Sequence, residues 1–181
     1  VLKASISNNG DIAFVGVKKV YIYNHLTKKS ITSFDLPLSV NQDSHVSVSL
    51  SPNSKHCAVS YLGKNGQTEV FIYDIKNARS AALSRKVSDA SSLLFTSDDT
   101  LVIAGGKIIL STEYNGNKWM IQDAKSLLVE SGSLYRVLLQ GDYAAGLNEN
   151  GRVHIFDYKS GLEIYTVAVQ VGKTTMKTVG K

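Results

Sequence analysis

One five-residue pattern constrains this chain more than any other feature. It occurs as Val20-Tyr-Ile-Tyr-Asn24, Val70-Phe-Ile-Tyr-Asp74 and Val153-His-Ile-Phe-Asp157. Each copy alternates side chains to two faces, as a strand does, and ends in an aromatic residue followed by Asn or Asp, which starts turns. The last copy is the clearest. Within Gly151–Val167, Arg152–Phe156 reads as a strand in which Val153 and Ile155 mark the half-buried side. Asp157–Gly161 reads as a turn, with Gly161 supplying a positive φ, and Leu162–Val167 reads as the returning strand.

Around each copy the sequence offers further short strands. The first unit reads Lys3–Ser7, an Asn9-Gly10 turn, Ile12–Val15, Val20–Tyr23 and Lys29–Phe34. The second reads Val46–Leu50, the turn Ser51-Pro52-Asn53-Ser54, Cys57–Tyr61, Glu69–Tyr73 and Arg79–Leu83. The third reads Ser92–Phe95, Leu101–Ala104, Lys107–Leu110 and Lys118–Gln122, with Ser111–Asn117 less regular and helical character in Ala124–Val129. The fourth reads Tyr135–Leu139, Tyr143–Gly146 and the hairpin above. First turns near Gly10, Ser54, Asp99 and Gly141 lie 44, 45 and 42 residues apart. Third strands near Val20, Val70, Ile108 and Val153 lie 50, 38 and 45 apart, the long step reflecting the longer loop Leu62–Thr68. A period of about 40–45 residues with four short strands per unit is the rhythm of a β-propeller.

Tyr73-Asp74 and Phe156-Asp157 stand where the WD40-like β-propeller family places Trp-Asp, with Tyr23-Asn24 a near miss. Ser51-Pro52-Asn53 is similar to that family's Ser-Pro-Asp turn. The third unit departs, with Ser111-Thr112 at this place, and the family's Gly-His pair is absent; His45 lies too close to Ser51 to serve. The chain therefore resembles a WD40-like propeller along nearly its whole length. The expectation is an all-β chain, a propeller or propeller portion of about four blades, each a four-stranded antiparallel meander. The blades are expected at 1–34, 46–83, 92–122 and 135–167, followed by a basic flexible tail at 172–181. Members of that family usually carry seven blades, so the resemblance implies missing blades or a partner chain completing the ring.

The chemistry of the sequence is sparse. The histidines His25, His45, His56 and His154 show no ligand spacing, and Cys57 has no cysteine to pair with. Cys57 in its apolar run is expected buried and inert. His154, on the face opposite Val153 and Ile155, is expected at a surface or between blades. Gly172-Lys173-Thr174 lacks the glycine that a phosphate loop needs five residues earlier, where Val167 stands. Gly105-Gly106 reads as a hairpin turn, and Asp11, Asp74, Asp98, Asp99, Asp142 and Asp157 read as turn residues. No catalytic residue, cofactor or metal is expected. Tyr21, Tyr23, Tyr61, Tyr73 and Tyr143 are expected to pack between blades.

Net charge is +5 over 181 residues, unevenly placed. Residues 1–34 carry +4 and residues 170–181 carry +3, leaving −2 between. Lys18, Lys19, Lys28 and Lys29 are thus candidates for contact with nucleic acid or an acidic partner. No apolar run reaches the ~20 residues of a membrane span. Val1 opens the sequence, so both ends are treated as cuts.

The resemblance implies a non-catalytic scaffold in a multiprotein complex. The basic ends tilt this toward a ribonucleoprotein such as a ribosome-assembly complex, in nucleus, nucleolus or cytoplasm. Two alternatives stay open: a quinoprotein-like propeller enzyme or sensor, and a direct binder of single-stranded RNA through the first-unit lysines and tyrosines.

Overall fold

A computed structural model describes residues 3–36, 46–62, 67–83, 90–105, 108–127, 134–148 and 150–168. These residues form sixteen strands in four antiparallel sheets, each taken up in chain order. Blade 1 holds β1 (Lys3–Ile6), β2 (Asp11–Val15), β3 (Lys19–Asn24) and β4 (Lys29–Asp35). Blade 2 holds β5 (Val46–Leu50), β6 (His56–Leu62), β7 (Thr68–Asp74) and β8 (Arg79–Ala82). Blade 3 holds β9 (Ala90–Phe95), β10 (Thr100–Gly105), β11 (Ile108–Tyr114) and β12 (Trp119–Ser126). Blade 4 holds β13 (Leu134–Gln140), β14 (Tyr143–Asn148), β15 (Arg152–Asp157) and β16 (Glu163–Ala168). Short turns between alternating strands force this meander, because antiparallel neighbours need only a few connecting residues. The expected basic tail, 172–181, lies outside the described residues.

The shared Asn/Asp acts as a turn cap. The side-chain Oδ1 atoms of Asn24, Asp74 and Asp157 accept from the backbone N–H groups of Thr27, Asn77 and Ser160, at 2.8, 2.9 and 2.8 Å. The fifth turn residue is left-handed in all three, with φ of 54° at Lys28, 50° at Ala78 and 75° at Gly161. Gly161 therefore has the positive φ its sequence position calls for, while Lys28 and Ala78 adopt the same shape at a steric cost. Gly10, in the expected Asn-Gly turn, has φ 81°.

Blade 3 corrects three expectations. The stretch read as irregular is strand as far as Tyr114, and the stretch read as helical is strand as far as Ser126. Pairing with β11 supplies what a short segment cannot make alone, so the ladder overrides local helix preference. The register also moves the family-like pair by one residue. Asn24, Asp74 and Asp157 face Asp11, His56 and Tyr143 across the ladder, and in blade 3 Glu113 faces Thr100. Thr112-Glu113, rather than Ser111-Thr112, thus occupies the aromatic-Asp place. The capping duty passes to Asn115, whose Oδ1 accepts from Asn117 and Lys118 N–H at 3.1 and 3.0 Å.

Adjacent blades bury their faces against each other. Ala13, Val15, Val20, Ile22 and Phe34 of blade 1 meet Val48, Cys57, Val59, Tyr61 and Tyr73 of blade 2. The other face of blade 2, with Ala58, Val70 and Ile72, meets Leu93, Phe95, Leu101, Ile103 and Trp119 of blade 3. Val102, Ala104 and Ile109 of blade 3 then meet Leu134, Val137, Ala144 and Phe156 of blade 4. The first strands adjoin in sequence, β1 by β5, β5 by β9 and β9 by β13. A serine stitches each step: Leu50 N–H donates to Ser5 Oγ (3.1 Å), Phe95 N–H to Ser49 Oγ (3.2 Å) and Leu139 N–H to Ser92 Oγ (3.3 Å). Cys57 is fully buried, and burial pushes its thiol well above the ordinary range.

Candidate interaction sites

The ladder makes positions comparable between blades, and the comparison exposes two bare faces. Ile22, Ile72 and Ile155 stand at one register position, opposite Ala13, Ala58 and Ala145. Ile22 and Ile72 are 0% and 2% exposed because the next blade covers them. Ile155 and Ala145 are half-buried, and no described blade follows. Val153 and Ile155 were expected to be the buried side of their strand; in the structure His154 and Phe156 are the buried ones. The apolar alternation is real, but the partner of that face is not among the described residues. Leu138, opposite Ala145 in the ladder, is 66% exposed on the same face.

Blade 1 shows the converse. Ile12, Phe14, Tyr21 and Tyr23 share one face, because Ile12 pairs with Tyr23 and Phe14 with Tyr21. The corresponding residues of blade 2 are Cys57, Val59, Phe71 and Tyr73, which pack against blade 1. On blade 1 nothing described covers the face; Phe14 stacks on Tyr21 at 5.2 Å and Tyr21 remains exposed. Tyr61 and Tyr73 are interblade residues as expected, Tyr73 donating its hydroxyl to Asp35 O at 3.3 Å, whereas Tyr21 and Tyr143 are exposed.

The four candidate lysines fall into two groups. Lys18 and Lys19 sit at the β2–β3 turn, Lys28 and Lys29 at the β3–β4 turn, at opposite ends of β3. Six residues of strand separate them by roughly 20 Å, beyond the ~8 Å screening length of physiological salt. Lys19 pairs with Asp35 at 3.3 Å. Lys18, Lys28 and Lys29 are exposed and make no ion pair among the described residues.

The turn end of blades 2 and 3 carries the densest polar contacts between blades. Asp98 accepts from Asn53 N–H and Nδ2, both at 2.9 Å, and these bonds outweigh burial to hold its carboxyl below the usual range. Lys55 pairs with Asp99 at 2.5 Å and lies 5.8 Å from the centre of the Tyr114 ring. Between the two blades opens a cavity of about 370 Å³, whose lining includes His56, Asp74, Asn77, Arg79, Tyr114 and Trp119. His56 is 1% exposed, and neither ring nitrogen has a hydrogen-bond partner among the described residues. Its ring meets Tyr114 and Trp119 edge-on, at 5.1 and 5.2 Å between centres. Sequence reading counted His56 only as a potential ligand without a spaced partner. Its surroundings come from blade 3, more than fifty residues onward, so no local signal could reveal them.

His154 shows the opposite condition. Its Nε2 accepts from Asn148 Nδ2 at 3.0 Å, and its Nδ1 lies 3.0 Å from Glu163 Oε1 and 3.1 Å from Thr166 Oγ1. It is an interblade structural residue, on the same face as Ala144 and Phe156. Among the described residues, no group of three or more His, Cys, Asp or Glu side chains could hold a metal, and no helix is long and apolar enough to cross a membrane.

No model of a known protein family matches the chain, and no curated protein does. Solved structures do match. The Cps50 (Swd1) β-propeller domain of Myceliophteria thermophila superposes with a TM-score of 0.61 at 13% identity, covering 94% of this chain and 55% of that one. A chain of the mitotic checkpoint complex superposes with a TM-score of 0.58 at 16% identity, covering 90% of this chain and 49% of that one. This chain thus spans about half the length of each. The fold is that of a β-propeller, built of WD40-like blades, and the resemblance read from the sequence holds at that level.

Proposed function

We propose that the chain is a non-catalytic scaffold in a multiprotein assembly, and that its two end faces receive further propeller blades. One observation carries the reading: the isoleucine and alanine sealed between blades at Ile22/Ala13 and Ile72/Ala58 recur at Ile155/Ala145, half-buried and with no described blade over them. Apolar positions repeated in register are a docking surface when bare, because burying them is what holds the inner blades together. The matched structures support it, since both are about twice the length covered here and one is part of the mitotic checkpoint complex. The flanking blades belong to the same polypeptide or to a partner. The finer placement in a ribonucleoprotein or ribosome-assembly complex, nuclear or nucleolar, rests on the basic ends of the sequence.

Hydroxyl-radical footprinting tests the reading. In the native assembly Phe14, Tyr21 and Ile155 should be as protected as Ile22 and Ile72, while the isolated chain labels them. Equal labelling in both states would remove the proposal. A second reading, direct RNA contact, is favoured by Lys18, Lys28 and Lys29, which make no ion pair among the described residues. Two groups roughly 20 Å apart would each release counterions, so RNA affinity must fall steeply with salt. Affinity that stays level from low to high salt would eliminate it.

A further inference from the structure

The seam between blades 3 and 4 is built differently from the other two. At the register position where Ile22 and Ile72 fill the earlier seams, blade 3 carries Ser111, opposite Val102 in the ladder. Ile75 of blade 2 and Tyr114 of blade 3, one residue past the aromatic-Asp place, join Ile22 and Ile72 in those seams; Tyr158 holds the same place in blade 4. Serine is much smaller than isoleucine, and close-packed surroundings relax only partly around such a loss. A cavity of about 270 Å³ opens there, its lining including Ser111, Thr100, Thr96 and Tyr158.

Its walls are hydroxyls. Thr96 is exposed, and Thr100, Ser111 and Tyr158 are half-buried, so all four stand open to a ligand. None of these hydroxyls has a hydrogen-bond partner among the described residues, and none is sealed from solvent as the His56 nitrogens are. Val102 and Ile109, 1% and 3% exposed, close the inner end, and the half-buried Tyr158 ring supplies an accessible apolar side. The charged groups at the rim are paired, Lys125 with Asp123 at 3.2 Å and Lys159 with Asp142 at 2.8 Å, so together they carry no net charge.

We propose that this seam cavity binds a neutral sugar ring, its C–H face on Tyr158 and its hydroxyls bonded to Ser111, Thr100 and Thr96. A sugar hydroxyl, like these side chains, both donates and accepts, so each can answer the other in either sense. A phosphate would bring only acceptors and would face Asp123; an ammonium would bring only donors and would face Lys125 and Lys159. A free sugar and a glycan carried by a partner protein share this chemistry. The site lies on an inner seam, so it stands whether or not the end faces receive further blades.

Amide and methyl NMR of the 181-residue chain tests it. The probes are the methyl glycosides of glucose, mannose and galactose, a serine-linked glycopeptide of whichever sugar binds, and inorganic phosphate as ionic control. At least one glycoside should shift the Ser111, Thr100 and Tyr158 signals to saturation, and phosphate should not. A glycopeptide that binds more tightly than its methyl glycoside names a partner's glycan as the source; one that binds equally or more weakly names the free sugar. Ser111→Ile restores the residue found at the matching places of blades 1 and 2, so it should keep the fold and lose the saturable shift. Thr100→Val keeps the side-chain shape, removes one hydroxyl and should weaken binding about fivefold. No saturable shift with any of the three glycosides would overturn the proposal. So would saturation by phosphate at these residues, or glycoside binding that survives both substitutions unchanged.

Discussion

Two histidines lie buried in this molecule under opposite conditions. His154 is 4% exposed and both its ring nitrogens are engaged; His56 is 1% exposed and, among the described residues, neither of its nitrogens is. Both sit in inner strands of a blade and both face a neighbouring blade. The difference lies in what closes around them. His154 is enclosed by its own blade, through Asn148 on β14 and Glu163 and Thr166 on β16. His56 is enclosed by the aromatic residues of the next blade, which give it edges and no hydrogen bonds. Asp11, at the ladder place of His56 in blade 1, is again closed within its blade, accepting from Asn24 Nδ2 at 2.6 Å. A buried polar residue closed by its own sheet is a structural part; His56, sealed at a blade junction, lacks that closure among the described residues.

The same contrast between closed and open governs stability, and substitutions can break it. The largest effect should come from the apolar seams. Ile72→Ala, under blade 3, should cost about 3 kcal/mol, while Ile155→Ala at the matching bare position should cost less than about 1 kcal/mol, read from urea denaturation. Equal losses would mean the end face is not bare. Next come the histidines. His154→Phe strands a partnered network and should cost about 2 kcal/mol, whereas His56→Phe loses no hydrogen bond and should stay within about 1 kcal/mol. A costly His56→Phe would show that the ring already has a partner.

The pH dependence tests His56 in its own right. Burial lowers the pKa of His56 below its ordinary 6.5, so the unfolded chain takes up the proton first. Stability from this group is present above pH 6.5 and falls as pH drops below it, by at most about 1.4 kcal/mol per pH unit. His56→Phe should flatten that slope between pH 6.5 and 5. Asp74 and Asp157 act lower. Burial raises Asp74, but hydrogen bonds from Asn77 outweigh it; at Asp157 the Ser160 N–H is the main cause of the depression. Their contribution is held above the ordinary 3.8 and lost as pH falls through the lower folded values. The turns give the smallest effect: Ala78→Gly should stabilise by about 0.5–1 kcal/mol and Gly161→Ala should destabilise by about 1 kcal/mol, because both sites are left-handed. The reverse order would mean those φ values are wrong.

Much of the fold was legible because its signals are local. Alternation, turn residues and a period near 45 place the four sheets, and Gly161 and Gly10 adopt the positive φ their turns demand. The third blade was misread where the ladder, not the residue, decides: Glu113 and Asn115 share a duty that one Asp performs elsewhere. The candidate sites were barely legible. Val153 and Ile155 were correctly apolar, but which face lacks a partner depends on the neighbouring blade. His56 acquires its character from Tyr114 and Trp119, a relation no single stretch contains. The four lysines fall in one short stretch, 18–29, yet lie at two ends of one strand.

Sedimentation of the isolated 181-residue chain over a wide concentration range tests the open end faces most directly. The wild type should self-associate, and the pair Tyr21→Lys and Ile155→Lys should remain monomeric with unchanged circular dichroism, since both residues lie on uncovered faces. A wild-type chain that stays monomeric throughout, with sedimentation identical to the double variant, would contradict the reading of those faces as docking surfaces.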